Sequence, residues 1–417
     1  MGGADRPWIL GGHQTDFGRN VTKEGGSLAT LLREAALGAV ESAEIDPADV
    51  EIVHVGNFLG EVYSGQGLLG GLALEAVPEL GGERGVFGAR HEAACASGSA
   101  AVLAATADLA AGRGDVALVV GVELMRGGGG FAAQRELGAA AIVPTETDGV
   151  DYPWPSLFSE LADEYDARYG LDDVHLRELG RCAFDNAARN PLAQTRTWGV
   201  GAAHLDPDDE LNPVVAGRLR RYDCSQVSDG AVAVVLATEA WAQQWQQRRR
   251  RADSTVARIA GWGARTTRMS MSAKLAQSRD HAHVLPHVAA AAADARERAG
   301  LASVHDLDAV EVHDCFTISA YAAIDHLGIT PPGKSFQAIE DGTVAAGGSL
   351  PLNPSGGLIG VGHPVGATGV RMVWNSAQHV TGSAGPTQVP GAKRMATLNI
   401  GGSATTVVSF VVEQVGL

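Results

Sequence analysis

The chain has 417 residues, of which 45% are hydrophobic and 19% charged, so it is long enough to bury a large core. Its formal net charge of −16 argues against a nucleic-acid partner, because counterion release needs a basic face. An anionic small molecule can still bind at a local basic patch. With four cysteines, no run of 18 apolar residues and no secretion signal, we expect a cytoplasmic protein without disulfides or a membrane partner.

Alanine-rich helical patterns alternate with short β-branched runs along the chain. The periodicity predicts long helices over Leu28–Ala43, Ser97–Ala111, Val284–Ala299 and Gly366–Val380. Strands are predicted over Val50–Val55, Val116–Val122, Ala231–Ala237, Val256–Gly261, Ala309–His313 and Val407–Val412. Several of these runs are apolar on both faces, which is typical of strands covered by helices on both sides. The sequence therefore predicts a layered α/β fold.

Residues 126–221 interrupt this alternation. They contain a run of four glycines, the segment Pro153–Pro155 and an amphipathic stretch, Leu161–Tyr169. We interpret the region as a long insertion in the first half of the chain, with some helix of its own, of the kind that often forms lids and substrate loops. Farther along, Gln243–Arg251 ends in four arginines and is interpreted as a polar connector between the halves, with a phosphate-binding patch as the alternative.

Three short segments contain residue types that carry chemistry. The first, His91–Gly98, places Cys95 among small residues directly before a predicted apolar helix. A cysteine at a helix start lies near the positive end of the helix dipole, which favours the thiolate. The alternative is a buried cysteine at a close-packed helix end.

The second segment contains His313 and Cys315 in the sequence Val-Glu-Val-His-Asp-Cys-Phe. Side chains two residues apart on an extended strand point to the same face, so these two could converge on one site. We expect no zinc, because no second pair of ligands lies at metal spacing. The alternative is a core cysteine beside a hydrogen-bonded histidine.

The third segment, Gly360–Gly369, opens the predicted helix near residue 366. Pro364 suits the first helical position and would place His363 at the helix N-terminus. The spacing GxGxxxG differs from the dinucleotide fingerprint GxGxxG, and no strand clearly precedes it, so a nucleotide-binding loop is disfavoured. A cysteine nucleophile needs a base, and a thioester carbonyl needs oxyanion donors; the three segments could supply both.

Together these segments resemble the thiolases, specifically the sterol-carrier-protein-type subgroup. The Cys95 segment resembles the nucleophile motif of the family. His313–Phe316 resembles the HDCF box that this subgroup carries where other thiolases have NEAF. Gly362–Pro364 matches the GHP box, and Asn399–Gly402 lies where most thiolases have CxG. The resemblance extends from about Pro7 to Val412.

The resemblance implies the thiolase fold, in which two βαβαβαββ halves form a five-layered αβαβα core with a loop domain inserted in the first. We expect the amino-terminal half at residues 1–255, including the inserted region 126–221, and the carboxy-terminal half at residues 256–417. The helices that follow Cys95 and His363 would be counterparts in the central layer. A homodimer or homotetramer is also implied.

The resemblance further implies roles for single residues. Cys95 takes the acyl group, with His363 accepting its proton. Because Asn399 occupies the CxG position, Cys315 takes over as the second acid/base. His313 and His363 form one oxyanion hole.

The backbone N–H groups of Cys95 and Gly401 form a second oxyanion hole, as the resemblance implies. The implied activity is that of an acyl-CoA C-acyltransferase, for thiolytic cleavage of 3-ketoacyl-CoA or Claisen condensation. Coenzyme A thioesters are then substrates, and no resident cofactor or metal is expected. Two alternatives stay open: a retro-aldol lyase or condensing subunit with a small OB-fold partner, and a non-catalytic protein that binds CoA or lipid. Cys182 and Cys224 match no role and are expected to be structural.

Overall fold

The computed structural model describes residues 6–248 and 255–415. The strands in these ranges are β1 (Trp8–Gln14), β2 (Ile52–Gly56), β3 (Phe87–His91), β4 (Val116–Glu123), β5 (Val214–Ala216), β6 (Leu219–Arg220), β7 (Gly230–Ala237), β8 (Val256–Thr266), β9 (Ala309–Val312), β10 (Arg394–Gly401) and β11 (Thr406–Val415). The helices are α1 (Leu28–Ala43), α2 (Gly60–Ser64), α3 (Leu69–Ala76), α4 (Ser97–Ala110), α5 (Gly129–Leu137), α6 (Pro153–Tyr169), α7 (Asp173–Ala187), α8 (Ala202–Leu205), α9 (Glu239–Arg248), α10 (Met271–Gln277), α11 (Pro286–Arg298), α12 (Thr317–His326), α13 (Ser335–Glu340), α14 (Gly357–Val361) and α15 (Val365–Thr381). None of these helices is long and apolar enough to cross a membrane.

The strand order repeats between the two halves of the chain. In the first half the order is β3-β2-β4-β7-β1, and in the second it is β9-β10-β11-β8. We number the strands of each half separately, leave out the hairpin β5–β6, and count the segment at Leu352 as the third strand of the second half. In both halves the second, fourth, fifth and first strands then lie side by side in that order. The third strand of the second half is reduced to one parallel bridge, between Val310 and Leu352. The two halves therefore share one architecture.

An irregular segment around Leu352 covers the outer edge of β9. The backbone N–H of Val310 donates to the carbonyl of Pro351, and the N–H of Asn353 donates to the carbonyl of Val310. The side-chain oxygen of Asn353 accepts a bond from the N–H of Val312 at 2.7 Å. These contacts satisfy backbone groups that an edge strand would otherwise expose.

Helices cover both faces of both sets of strands. α1 packs on β1, β4 and β7, whereas α11 packs on β8 and β11. Between the two sets lie α4, which contacts β2 and β4, and α15, which contacts β4, β7, β10 and β11. The order of layers is helix, sheet, helix, sheet, helix. This confirms the predicted five-layered αβαβα core, with the helices that follow Cys95 and His363 in its central layer.

One glycine allows α4 to lie in direct contact with α15, and a second allows α15 to lie in direct contact with β4. A Cβ atom on Gly98 of α4 would lie 2.6 Å from the carbonyl oxygen of Gly366 on α15, and one on Gly366 would lie 2.5 Å from the carbonyl oxygen of Val122. Real Cβ atoms do not approach backbone so closely, so only glycine fits at either position. Cys95 lies two residues before α4 and His363 two residues before α15, so this contact also brings these two residues together.

The predicted helices and strands are present with bounds that differ by a few residues, and α1 matches its prediction at both ends. The periodicity analysis misses β1, β3 and β10. Two details of the prediction are wrong. The strand expected to include His313 ends at Val312, so His313 and Cys315 lie in the loop between β9 and α12. Pro364 is the N-cap of α15, with φ −68° and ψ 106°, and the helix begins at Val365.

The segment between β4 and β7 contains α5, α6, α7, α8 and the hairpin β5–β6. α6 contacts α10 and α12, so the insertion packs on the second half of the chain. In the connector proposed at Gln243–Arg251, α9 extends to Arg248, and the remainder lies outside the described residues. The division at residue 255 therefore stays a prediction.

The glycine contact between the central helices can be tested with a matched pair of variants. Alanine is the better helix former by about 1 kcal/mol, yet Gly98→Ala should lower the melting temperature, since overpacking of this kind costs about 1–3 kcal/mol. Gly71→Ala, in α3, brings a methyl group to 3.4 Å from the Leu68 side chain, an ordinary contact, and should not lower it. Circular dichroism melting curves make the comparison. Equal melting temperatures would show that α4 and α15 are not in close contact.

Candidate active site

A cavity of about 950 Å³ lies beside the starts of the central helices. Its wall includes Cys95, His313, Cys315 and His363, so the three segments singled out in the sequence contribute to one site. Much of the remaining wall is aromatic or aliphatic: Phe58, Leu137, Trp154, Phe158, Phe316 and Val365. Several of these side chains belong to the insertion. The cavity therefore combines chemistry from both halves with a largely apolar lining, as small-molecule sites commonly do.

Three reactive side chains meet at the base of the central helices. The sulfur of Cys95, one ring nitrogen of His313 and one of His363 lie within 4.8 Å of one another. The two imidazole rings have centroids 5.0 Å apart and are nearly perpendicular, at 83°. A nucleophile and two imidazoles are thus within reach of a single bound carbonyl group.

The protonation of His363 follows from its hydrogen bonds. Its Nδ1 lies 2.7 Å from the hydroxyl oxygen of Thr368, which donates its own proton to the carbonyl oxygen of Pro364 at 3.1 Å. With the hydroxyl proton directed to this carbonyl, Nδ1 carries a hydrogen and donates it, which assigns the lone pair to Nε2. Nε2 is buried and has no hydrogen-bond partner among the described residues. Burial, aided by the positive charge of Arg371, lowers the pKa of His363 to about 3, so the ring is neutral at rest.

His313 is held in the opposite tautomer. Its Nδ1 lies 2.9 Å from the amide nitrogen of Asn399, and the hydroxyl of Ser99 donates to the amide oxygen of Asn399 at 2.8 Å. An amide nitrogen can only donate, so Nδ1 accepts and the ring hydrogen is on Nε2. Burial lowers the pKa of His313 well below its usual value, so this ring is also neutral. His363 therefore offers a lone pair, whereas His313 offers an N–H donor.

Asn399 is the residue whose contribution sequence reasoning missed. The sequence analysis identifies it only as a departure from the CxG pattern. The structure shows an amide that links Ser99 on α4 to His313 after β9 and so determines which nitrogen of His313 bears the proton. The signal available in the sequence was the joint occurrence of an asparagine in the CxG position and a histidine in the HDCF box.

Cys95 is partly exposed and lines the cavity. The turn before it is held by Ser97, whose hydroxyl accepts a bond from the N–H of Ala93 at 2.9 Å and donates to the carbonyl of Ala94 at 2.5 Å. Ala94 has a φ of +50°, in the left-handed region that non-glycine residues seldom adopt. Burial raises the pKa of the Cys95 thiol to about 12, although a hydrogen bond from the backbone of Gly402 opposes this. The resting sulfur is therefore a thiol.

The backbone of Gly402 forms a hydrogen bond to Cys95, and Gly402 lines the cavity. Gly401 ends β10, and the oxyanion role expected of its N–H stays a prediction. The loop that follows is held by Lys274, whose ammonium group contacts the carbonyl and, at 2.7 Å, the hydroxyl of Ser403.

Cys315 is only 6% exposed, and its sulfur lies 3.7 Å from the hydroxyl of Ser319. Burial and the proximity of Cys95 raise the pKa of Cys315 well above its usual value, so it too is a thiol at rest. Cys224 also lines the cavity, and its thiol donates to the carbonyl of Arg220 at 3.3 Å. Cys182 lies on α7 outside the cavity wall.

A buried ionic cluster lies behind the histidines. Arg371 donates to the hydroxyl of Ser355 at 2.9 Å and lies 3.6 Å from the carboxylate of Glu311. Asp314 accepts a bond from the backbone N–H of Leu358 at 2.6 Å, and burial raises its pKa to about 7. The positive charge of Arg371 favours the neutral form of both catalytic-site histidines.

The outer wall of the cavity is cationic. Lys23, Arg126 and Arg221 all line it, and Lys23 and Arg221 are exposed. Two partly exposed aromatic residues, Tyr152 and Trp198, lie in the same wall. In a chain with a net charge of −16, three cations at one opening favour an anionic ligand there.

Known proteins resemble this chain over most of its length. The family model for the thiolase N-terminal domain matches residues 8–129, and that for the thiolase C-terminal domain matches residues 267–414. The acetyl-CoA acetyltransferase of Methanothermobacter thermautotrophicus is 32% identical over 406 residues, which cover 95% of this chain and 97% of that protein. Human sterol carrier protein 2 is 26% identical, with 97% of this chain and 71% of that protein covered.

Solved structures share the fold. The Ltp2–ChsH2(DUF35) aldolase aligns with a TM-score of 0.76 at 20% identity, over 98% of this chain and 97% of that one. Human mitochondrial 3-ketoacyl-CoA thiolase in complex with CoA aligns with a TM-score of 0.68 at 17% identity, over 99% and 98%. The fold and the relatives thus define an α/β enzyme of the acyltransferase type. The chain belongs to the thiolase family.

The resting protonation state of Cys95 predicts how its reactivity depends on pH. Only the thiolate reacts with iodoacetamide, and a pKa of about 12 leaves the sulfur protonated at neutral pH. Alkylation of Cys95 should therefore accelerate about tenfold per pH unit from roughly pH 6 to 9. Mass spectrometry of the Cys95 peptide gives the rate, and Cys95→Ala gives the blank. A plateau within the neutral range would instead indicate a thiolate–imidazolium pair.

Proposed function

We propose that the protein is an acyl-CoA C-acyltransferase of the thiolase type that forms an acyl-enzyme on Cys95. The observation that carries this proposal is the meeting of a thiol, a neutral imidazole with a free lone pair and a neutral imidazole with a free N–H donor in one apolar cavity. The names of the relatives agree, since those from Methanothermobacter thermautotrophicus and Methanocaldococcus jannaschii are acetyl-CoA acetyltransferases at 32% and 30% identity.

Acylation begins with proton transfer from Cys95 to Nε2 of His363. The sulfur attacks the 3-keto carbon of a 3-ketoacyl-CoA, and the carbonyl oxygen gains negative charge. Backbone N–H groups stabilise that charge: those of Cys95 and Gly401 expected from the family, and that of Gly402, which contacts the sulfur. Collapse of the adduct breaks the bond between the α and β carbons, which leaves an acyl-enzyme and the enolate of acetyl-CoA.

The enolate needs a hydrogen-bond donor and then a proton. The Nε2–H group of His313 supplies the donor, together with protonated His363. Cys315 then donates its thiol proton to the α-carbon, a role that its raised pKa suits. In the second half-reaction the thiol of free coenzyme A gives its proton to the Cys315 thiolate and attacks the acyl-enzyme carbonyl; acyl-CoA then leaves, and His363 returns its proton to the sulfur of Cys95. Condensation is the same sequence in reverse, with Cys315 as the base.

Coenzyme A enters as part of the substrate, and we propose no resident cofactor. Its phosphates would lie against Lys23, Arg126 and Arg221, the cations of the outer cavity wall. The pantetheine arm would then extend inward to Cys95. A cytoplasmic location stays a prediction.

We propose a homo-oligomer that uses the outer edge of β3. This strand is outermost in the first half, and Phe87 on it is 61% exposed. Leu68, before α3, is 83% exposed, and α3 packs on β3. A small OB-fold partner belongs to the alternative, a lyase or condensing subunit. That alternative requires activity to depend on a co-purifying protein.

The first test addresses the acyl-enzyme. Incubation with acetyl-CoA or a longer acyl-CoA should add one acyl group to Cys95, and Cys95→Ala should abolish the adduct. His363→Ala should slow acyl transfer by roughly 10²–10⁴-fold, as expected for loss of a positioned base. Intact-protein and peptide mass spectrometry measure both effects, with Cys182→Ala as the matched control. Stoichiometric acylation that survives in Cys95→Ala would reject the proposal.

The second test separates the two half-reactions. Cys315→Ala should still form the acyl-enzyme but should lose condensation and α-proton exchange by about 10²–10⁴-fold. Asn399→Ala should have a milder effect, because an amide cannot exchange a proton at neutral pH. The measurements are acyl-enzyme formation and deuterium exchange at the α-carbon of acetyl-CoA. Exchange at the wild-type rate in Cys315→Ala would place the second acid/base elsewhere.

A further inference from the structure

We propose that Cys95, His313 and His363 also form a binding site for Zn²⁺ that holds the enzyme in a reversible inactive state. The sequence argues against zinc because no second pair of ligands lies at metal spacing. The fold nevertheless brings one sulfur and two imidazole nitrogens within 4.8 Å of one another. The binding of zinc depends on that geometry alone, whereas the inactive state rests on the proposed function.

The distances are compatible with one tetrahedral ion. Zinc binds thiolate sulfur at about 2.3 Å and imidazole nitrogen at about 2.0–2.1 Å, so ligand atoms around it lie roughly 3.3–3.5 Å apart. Closing a separation of at most 4.8 Å to that value requires movements of about 1 Å, which side-chain rotations can supply. Cysteine and histidine are the ligands that zinc prefers.

His363 already has the hydrogen bonding of a zinc ligand. Histidines bound to a metal generally donate their second ring N–H to an acceptor, which orients the ring. Nδ1 of His363 donates to the hydroxyl of Thr368 at 2.7 Å. Its Nε2 lone pair is buried, lines the cavity region and has no partner among the described residues.

His313 needs a change of tautomer. When Nε2 binds zinc, the ring proton moves to Nδ1, and the amide of Asn399 must turn so that its oxygen accepts this proton. The amide nitrogen of Asn399 then donates to Ser99, whose hydroxyl can accept as well as donate. The hydrogen bonds from Asn399 to His313 and to Ser99 are therefore kept both with and without zinc. Cys95 releases one proton to solvent as its sulfur becomes a thiolate ligand.

Three protein ligands leave a fourth position that faces the cavity, where water or the thiol of Cys315 can bind. Zinc in this position removes the nucleophile, the free lone pair of His363 and the N–H donor of His313 together. Acyl transfer should stop while the ion is bound and recover when a chelator removes it.

The test uses metal-free protein and Zn²⁺ in competition with a chromophoric chelator. Wild-type protein should bind one ion, and saturating zinc should slow iodoacetamide alkylation of Cys95 by at least about tenfold, since a coordinated thiolate is shielded. EDTA should restore the rate. Cys95→Ala and His363→Gln should each lose the site, whereas Cys182→Ala should keep it. Asn399→Asp should bind more tightly, by about tenfold, because a carboxylate accepts the Nδ1 proton of His313.

Alkylation of Cys95 at an unchanged rate in saturating zinc would overturn the inference. So would stoichiometric zinc binding that survives in both Cys95→Ala and His363→Gln. The result is separable from the proposed function. Protein that binds zinc but forms no acyl-enzyme would contradict only the function, and protein that forms an acyl-enzyme but leaves Cys95 unprotected by zinc would contradict only the metal site.

Discussion

The contact between α4 and α15 is the constraint on which the rest of the site depends. A methyl group on Gly98 of α4 would meet the carbonyl oxygen of Gly366 on α15, and one on Gly366 would meet the carbonyl oxygen of Val122 on β4. The approach is close because nothing larger than hydrogen separates the two backbones. Since Cys95 precedes one helix and His363 the other, helix packing determines the distance between these two residues. Their separation is therefore set by a backbone contact in the central layer of the core.

His313 and His363 are held in opposite tautomers by their hydrogen-bond partners. The hydroxyl of Thr368 donates its proton to a backbone carbonyl, so Nδ1 of His363 donates to that hydroxyl. The amide nitrogen of Asn399 is a donor, so Nδ1 of His313 accepts. Burial keeps both rings neutral, so neither gains the positive charge that would make both of them donors. One residue type thus presents both a lone pair and an N–H donor to the cavity. The assignment rests on Thr368 and Asn399, neither of which needs to touch substrate.

Local pattern predicted the regular parts of the fold well and the irregular parts poorly. α1 is predicted at both ends because its apolar spacing is regular and Ser27 caps it. β3 is missed because its five residues are mostly only partly buried and do not alternate. The motifs identified the four reactive side chains, all of which line the cavity. The role of Asn399 was not predictable, since it depends on Ser99, which is 300 positions away along the chain.

The two outer strands of the nine-stranded sheet, β3 and β9, differ in whether another segment covers their outer edge. The outer edge of β9 is sealed by the segment around Leu352 and Asn353, whereas within the described residues β3 pairs only with β2. A protein with two open edges can add copies at both and grow into a fibre, as cross-β assemblies do. With a single open edge, two molecules can pair through that edge around a two-fold axis, and growth then ends. The segment that covers β9 thus leaves the edge at β3 as the one available for such pairing within the described residues.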